Sequence, residues 1–299
     1  MMGLEYFSFQ DLWSPAFMIF MMVIVVLYTF IIGPWRHHFA GSASVPVLRQ
    51  LAFVLAIALL YLTQGGPLSL LGHLMFTFHM TNMAFAYILV PPLLIYGIPD
   101  WLWRSMFGAR FWRFWLFRLL MNPIVSILAF VLLFSLYHMP SNHDWIMTHF
   151  TIHRIYYALL FLSALAMWWH IYCPIAEWRR ISPLLRLGYI FMSGLLLTPA
   201  CVMIIFAGEP LFGVYNDPEV WAQAMGYCVS GDPAALLDKF EGPTFFNMLS
   251  PIDDQQLGGI VMKLLQEGVN VAALYTVFMQ WYRRDRSRDS DSVLDPAAE

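Results

Sequence analysis

The stretch Gly72–Pro99, GHLMFTFHMTNMAFAYILVPPLLIYGIP, is apolar enough to cross a bilayer, yet it carries His73, His79, Met80 and Met83. At 100° per residue these four share an arc of roughly 120° on a helix, spread along about 15 Å of its axis. Imidazole and thioether gathered on one stripe are the donors a soft metal ion takes. Any one of them alone reads more readily as packing between helices. The metal reading therefore depends on what other segments bring to the same depth.

They bring more of the same. His138 ends an apolar run at Leu136-Tyr137-His138-Met139-Pro140, and His149 and His153 lie four apart, on one helix face. Cys201 follows Pro199 by two residues, and Met262 stands about two turns beyond Asp254 and Gln255. Taken together they describe a funnel, with His138, His153 and His73 at the mouth. His79, Met80, Met83, Cys201 and Met262 lie below, and Asp254 or Gln255 is placed to orient a ligating imidazole through its other ring nitrogen. Neutral imidazole, thioether and thiolate suit Cu(I); zinc favours closed His/Cys sets, and magnesium or calcium wants oxygen. The competing reading is that the histidines only hydrogen-bond across helices.

The elements that must position these donors are membrane helices. Hydrophobic residues make up 60% of the 299, charged ones 12%, and the mean hydropathy is +0.64. A soluble chain carries about 25% charged residues, so the fold class expected is all-α and polytopic. Seven stretches approach the roughly 20 apolar residues a bilayer core requires: about 13–33, 48–64, 68–96, 121–139, 150–173, 187–208 and 251–280. Thirteen arginines fall on one side of this arrangement and only Lys239 on the other. By the positive-inside rule the N-terminus is expected outside and the C-terminus in the cytoplasm. One seven-helix domain spans residues 1–282, followed by a polar tail, 283–299, expected to be disordered. No basic n-region or cleavage site marks a removed signal peptide. Cys173, Cys201 and Cys228 show no CxxC spacing and argue against a thioredoxin-type centre.

Residues 99–118 mix Trp and Phe with Arg and are expected to lie along the membrane interface. The acidic loop 209–250 is the only long one, and its Trp221–Cys228 part is expected to form a short helix lidding the outer face. The last span opens with Ser250-Pro251-Ile252-Asp253, a well-capped start. Its Asp254, Gln255, Gln256, Lys263, Glu267 and Asn270 place it inside the bundle or beside a cavity. Lys263 and Glu267, one turn apart, read as a neutralising pair rather than a retinal Schiff-base site. Arg154 is expected to snorkel or to pair with Asp144 or Asp254.

Several of these pieces also carry a family likeness: His79-Met80-Thr81-Asn82-Met83, Pro91-Pro92 with Gly97-Ile98-Pro99, Tyr137-His138-Met139-Pro140, and His153 with Trp168-Trp169. Thr198-Pro199-Ala200-Cys201 and Ser250–Gln256 complete the set. In order and spacing, over about residues 10–282, the chain resembles the seven-helix CtaG-type assembly factors of caa3-type cytochrome c oxidases, as distinct from the single-helix copper protein of the same name. Many relatives in that wider family have histidine where Met83 and Tyr157 stand, so a softer or different ligand set is expected here. The resemblance implies a multi-pass protein of the bacterial cytoplasmic (inner) membrane that matures the oxidase. It would be a Cu(I)-binding chaperone, not an enzyme, passing copper to the apo-form of the haem–copper subunit.

A copper donor protein, the lipid bilayer and a second copy across exposed Met and Phe faces are the other partners considered; nothing points to nucleic acid. No P-loop is present, consistent with exchange that needs no nucleotide. The alternatives are a membrane redox protein with haem between His79 and His138 or His153, a copper transporter, and an assembly chaperone without metal. The transporter would need donors at the inner side, where His170 and Cys173 are the main ones.

Overall fold

In helix after helix, a polar cap followed by proline sets the start. Asn122 accepts from the amides of Ile124 and Val125 ahead of Pro123, and Ser182 accepts from Leu185 ahead of Pro183. Asp217 and Ser250 repeat the device before Pro218 and Pro251. Proline at the first position lacks only an N–H that would be an orphan there anyway. In the computed structural model, which describes residues 4–107, 114–226, 229 and 233–294, the result is an all-helical membrane bundle.

Three long helices come first: α1 (Phe9–Ile32), α2 (Val47–Leu74) and α3 (Phe76–Gly97). A bent pair follows, α4 (Pro123–Tyr137) and α5 (Pro140–Met147), then α6 (Phe150–Tyr172) and α7 (Pro183–Ile205). Two short helices, α8 (Pro218–Met225) and α9 (Pro233–Phe240), precede the last span, α10 (Pro251–Leu294). The fourth of the seven expected spans differs from expectation. The 15 residues of α4 rise about 22 Å, short of a hydrocarbon core of about 30 Å, and the chain then turns through 82° into α5. The described residues thus hold six helices long and apolar enough to cross a membrane, or seven if the bent pair counts as one.

A second difference matters more for function. Helix α2 is interrupted at the Gly65-Gly66 pair but resumes from Pro67 to Leu74, and the chain reverses at Met75, whose backbone is extended. His73 therefore belongs to α2 and His79 to α3, so the single stripe expected across both is in fact split over two antiparallel helices. The reversal is tight because Gly72 has no Cβ: one there would lie 2.5 Å from the Asn82 amide nitrogen. Asn82 instead donates across the hairpin to the Leu68 carbonyl. Further along α3, Ala84–Leu89 winds as a π-helix, with the Val90 N–H reaching back to the Phe85 carbonyl. Pro91 and Pro92 follow and have no N–H to continue the normal ladder.

Helix α10 is not wholly interior: one face buries Asp254, Gln255, Gln266 and Asn270 against the bundle, and the other leaves Leu264, Val271 and Tyr275 on the surface. Glycine lets it approach: a Cβ on Gly258 would meet the Phe76 ring at 2.8 Å, and one on Gly259 would meet Ile205 at 2.7 Å. Its polar side chains are tied to neighbouring backbone. Gln255 accepts from Leu211 N–H and donates to the Ile204 carbonyl, and Gln266 donates to the Gly194 carbonyl. Lys263 meets Glu267 at 2.6 Å and donates to Thr198 Oγ1. The helix runs past residue 282 to Leu294, where a disordered tail was expected.

The main core lies among α3, α4, α6, α7 and α10 around Trp168, Tyr87, Phe130 and Phe134. Helix α1 leaves Ile19, Phe20, Val23, Val26 and Phe30 on the surface, as a lipid-facing helix does. The loop 209–250 covers the end of the bundle that carries His73. Trp221 and Met225 of α8 and Leu236 and Phe240 of α9 pack on Leu70, Leu71 and Leu74 of α2. The lid helix expected at Trp221–Cys228 thus forms as Pro218–Met225, and Cys228 lies outside the described residues. In 99–118, Trp101 and Trp103 are buried against Phe39 and Trp169 rather than directed to headgroups, while Phe114 and Trp115 are exposed. Arg110 and Arg113 lie outside the described residues.

Candidate functional site

Below the lid, a cavity of about 140 Å³ is lined by His73 from α2, His79 and Met83 from α3, Met147 from α5, and His153 and Tyr157 from α6. Backbone breaks aim these residues at one another. The reversal at Met75 sets His73 and His79 on facing helices, and the bend after Tyr137 folds α5 back so that Met147 joins them. The bend is spanned by Asn142, which donates to the Leu136 carbonyl at 3.0 Å, and the reversal is held by a carboxylate. The oxygens of buried Asp254 accept from Phe76 N–H at 2.7 Å, Thr77 N–H at 3.1 Å and Thr77 Oγ1–H at 2.6 Å, capping the first turn of α3 from α10. Asp144 accepts from the amides of Gly213 and Val214, pinning the start of the lid loop to α5.

Five histidines gather as a pair and a trio, linked through Tyr157 and Tyr137. His73 and His153 have ring centres 5.8 Å apart; His79 stands 5.9 Å from His138 and 5.2 Å from His143. Tyr137, Tyr215 and Phe76 pack around the inner three. The ring nitrogens divide their roles. Nδ1 of His138 lies 2.8 Å from the Phe134 carbonyl and Nδ1 of His73 lies 2.9 Å from the Ser69 carbonyl. A carbonyl only accepts, so each Nδ1 bears the proton and each Nε2 keeps its lone pair. Nδ1 of His143 faces Asp144 Oδ1 at 3.4 Å in the same sense. The Nε2 atoms of His79, His138, His143 and His153 are all buried and have no hydrogen-bond partner among the described residues. Buried polar atoms nearly always find partners, and here four Nε2 atoms near one another have none among the described residues. An imidazole fixed through Nδ1 with its Nε2 open is the usual state of a metal-binding histidine.

Of the nine residues nominated from sequence, His73, His79, Met83 and His153 line the cavity, and His138 stands behind His79. Met80, Cys201, Asp254 and Met262 do not line it. Met80 faces α10, its Cγ 3.2 Å from where a Gly258 Cβ would sit, and Met262 is fully buried in the same core. Cys201 is buried on α7 with Lys263 and Glu267 of α10 as its charged neighbours. Asp254 orients no imidazole: its oxygens serve the α3 cap. Arg154 lines the cavity with its guanidinium over the Phe150 ring, and makes no ion pair with Asp144 or Asp254.

His143 and Met147 were missed. The available signal was local: Asn142-His143-Asp144 is a polar triplet directly after the proline break, in a region otherwise apolar. Among the described residues no three His, Cys, Asp or Glu side chains are grouped to hold a metal ion. The arrangement is therefore not a closed set of the zinc kind; it offers imidazoles in pairs, with thioethers beside them.

No curated protein and no solved structure matches the chain. The family model for cytochrome c oxidase caa3 assembly factors (Caa3_CtaG) matches residues 26–284, which include every histidine of the cluster, and the chain belongs to that family.

Proposed function

We propose that this assembly factor carries Cu(I) in the histidine cavity and delivers it to the haem–copper subunit of the oxidase. The observation that carries the reading is the set of buried Nε2 atoms without hydrogen-bond partners among the described residues: those of His79 and His153 in the cavity wall, and those of His138 and His143 beside His79. An imidazole nitrogen ligates a metal at about 2 Å, so two rings sharing one ion have centres about 6 Å apart. His73 with His153 and His79 with His138 stand at 5.8 and 5.9 Å. Met83 and Met147 add thioether, which favours Cu(I) over harder ions. Two imidazoles and a thioether make a low-coordinate site from which an ion can be passed on without an energy source.

The arginines at the other end of the helices support a cytoplasmic position for that end, and the family likeness supports a bacterial inner membrane. The cavity then opens on the outer side of the inner membrane, and copper enters there, from solution or from a donor protein. The protein does not act as an enzyme. A haem held between the same histidines is less well supported, because about 140 Å³ is well below the roughly 300–1,000 Å³ of ordinary organic-ligand pockets.

The test is anaerobic Cu(I) titration of the detergent-purified chain against a competing chelator, with an optical spectrum of the same sample. Cu(I) retained by the protein and no Soret band is the expected result. A protein that surrenders all its copper to the chelator, or one that is isolated with a Soret band, overturns the proposal.

A further inference from the structure

The helices that bring histidines to one end of the bundle bring arginines to the other. Helix α2 begins beside Arg49 and ends at His73; α3 begins beside His79 and ends past Tyr96; α6 begins beside His153 and ends before Cys173. At this second end the helix termini enclose a cavity of about 160 Å³ lined by Arg49, Tyr96, Cys173, Arg179, Arg186 and Gln280. Arg186 lies one turn into α7 and is only 5% exposed. Its Nη1 donates to the Ile171 carbonyl at 3.3 Å, and its Nε is buried with no hydrogen-bond partner among the described residues. Arg179 donates through Nε to the Cys173 carbonyl at 3.1 Å, and the Arg49 guanidinium stacks over Tyr96 at 5.5 Å.

Capping explains part of this. Ile171 and Cys173 stand at the C-terminus of α6, where arginine suits free carbonyls and the negative end of the helix dipole. It uses one nitrogen each of Arg186 and Arg179. It explains neither the buried Nε nor the gathering of three cations around one cavity. Among the described residues no carboxylate lies within 4 Å of Arg49, Arg179 or Arg186. Glu177, the one acid in the connection 174–182, is paired with Arg104 at 2.7 Å. A guanidinium buried without a counter-charge is strongly unfavourable, and an anion supplied from outside resolves it. Guanidinium forks match the oxygens of phosphate, and basic pockets between helix ends at a membrane surface are where anionic headgroups lodge.

We propose that the cavity formed by Arg49, Arg179 and Arg186 binds a phosphate group, presented by an anionic phospholipid or as free phosphate. The site is separate from the histidine cavity and stands whether or not that cavity carries copper.

The test uses the full chain in neutral detergent, with thermal unfolding followed on addition of phosphatidylglycerol, phosphatidylcholine or inorganic phosphate. Phosphatidylglycerol is expected to raise the midpoint by about 3 °C or more, and phosphatidylcholine to leave it unmoved. A shift with phosphatidylglycerol alone identifies a lipid headgroup, a shift with inorganic phosphate alone a free anion, and a shift with both a site that takes either. Arg49→Gln with Arg179→Gln, which leaves the buried Arg186 in place, should abolish the shift. Arg104→Gln, an exposed arginine outside the cavity, should keep it. No shift with any probe overturns the proposal. So does an equal shift with phosphatidylcholine, one that survives Arg49→Gln with Arg179→Gln, or one that Arg104→Gln removes equally.

Discussion

The two ends of the bundle are built from the same helices and solve opposite problems. At one end the buried atoms left unpartnered among the described residues include the Nε2 of four clustered histidines; at the other they include Nε of Arg186, on a charged side chain, and Nε2 of a single histidine, His170. In a low-dielectric interior a missing partner is costly whichever way it points, and the sign of the atom left open selects the sign of what fills it. Lone pairs call for a cation and N–H groups for an anion. The backbones differ as well. The arginine end uses ordinary helix termini. The histidine end depends on a one-residue reversal at Met75, braced by Asp254, an 82° bend after Tyr137, spanned by Asn142, and a π-helical stretch, while Asp144 pins the lid loop. A site assembled at breaks is more easily lost than one assembled at ends, and that asymmetry can be tested.

The largest expected effect is on the brace. Asp254→Ala would leave the Phe76 and Thr77 amides and the Thr77 hydroxyl without their acceptor inside the bundle, a loss of about 2–5 kcal/mol. Thermal unfolding in detergent should fall by several degrees, with Cu(I) retention lost as α3 shifts. An unchanged midpoint would show that the reversal at Met75 does not rely on α10. Next comes removal of the donors themselves. His79→Ala with His153→Ala should weaken Cu(I) binding by more than about 100-fold, measured against a competing chelator, while the unfolding midpoint moves little. If both donors can be deleted with full retention, the cavity is not the copper site. A smaller change follows Asp144→Asn, which weakens the hold on both His143 and the lid loop: Cu(I) affinity should drop by about 10–100-fold. A lowered midpoint with unaltered affinity would assign Asp144 to the loop alone.

What the sequence made legible was local. Polar-Pro starts at Asn122, Ser182 and Ser250 announce their helices, the Lys263–Glu267 pair follows from a four-residue spacing, and the polarity of α10 requires burial. What it hid was tertiary. The reversal at Met75 depends on Asp254, which lies 178 residues beyond the Phe76 it caps, so the hydrophobic run from Leu68 to Ile98 reads as a single span and puts His73 on the wrong helix. His143 follows His138 by five residues across a bend, a spacing with no helical meaning, and only the folded chain brings it within 5.2 Å of His79. The arginines were legible as a count that sets orientation, but not as a cavity, because Arg49 lies far along the chain from Arg179 and Arg186.

The smallest effect separates the cavity from the seam behind it. Cys201 is the softest donor in the middle of the bundle, and by residue type it belongs in any copper list. Its surroundings argue otherwise: it is 1% exposed, set on α7 against Lys263 and Glu267, and absent from the cavity wall that His79, Met83 and His153 share. Serine in its place keeps nearly the same volume, and within a helix its hydroxyl can bond to the carbonyl one turn back. Cys201→Ser should therefore leave Cu(I) affinity unaltered and the unfolding midpoint nearly so, while Met83→Leu, which replaces a thioether on the wall with hydrocarbon, should weaken retention measurably. If Cys201→Ser releases the copper and Met83→Leu does not, the ion sits in the α7–α10 seam, and the unpartnered histidine nitrogens need another explanation.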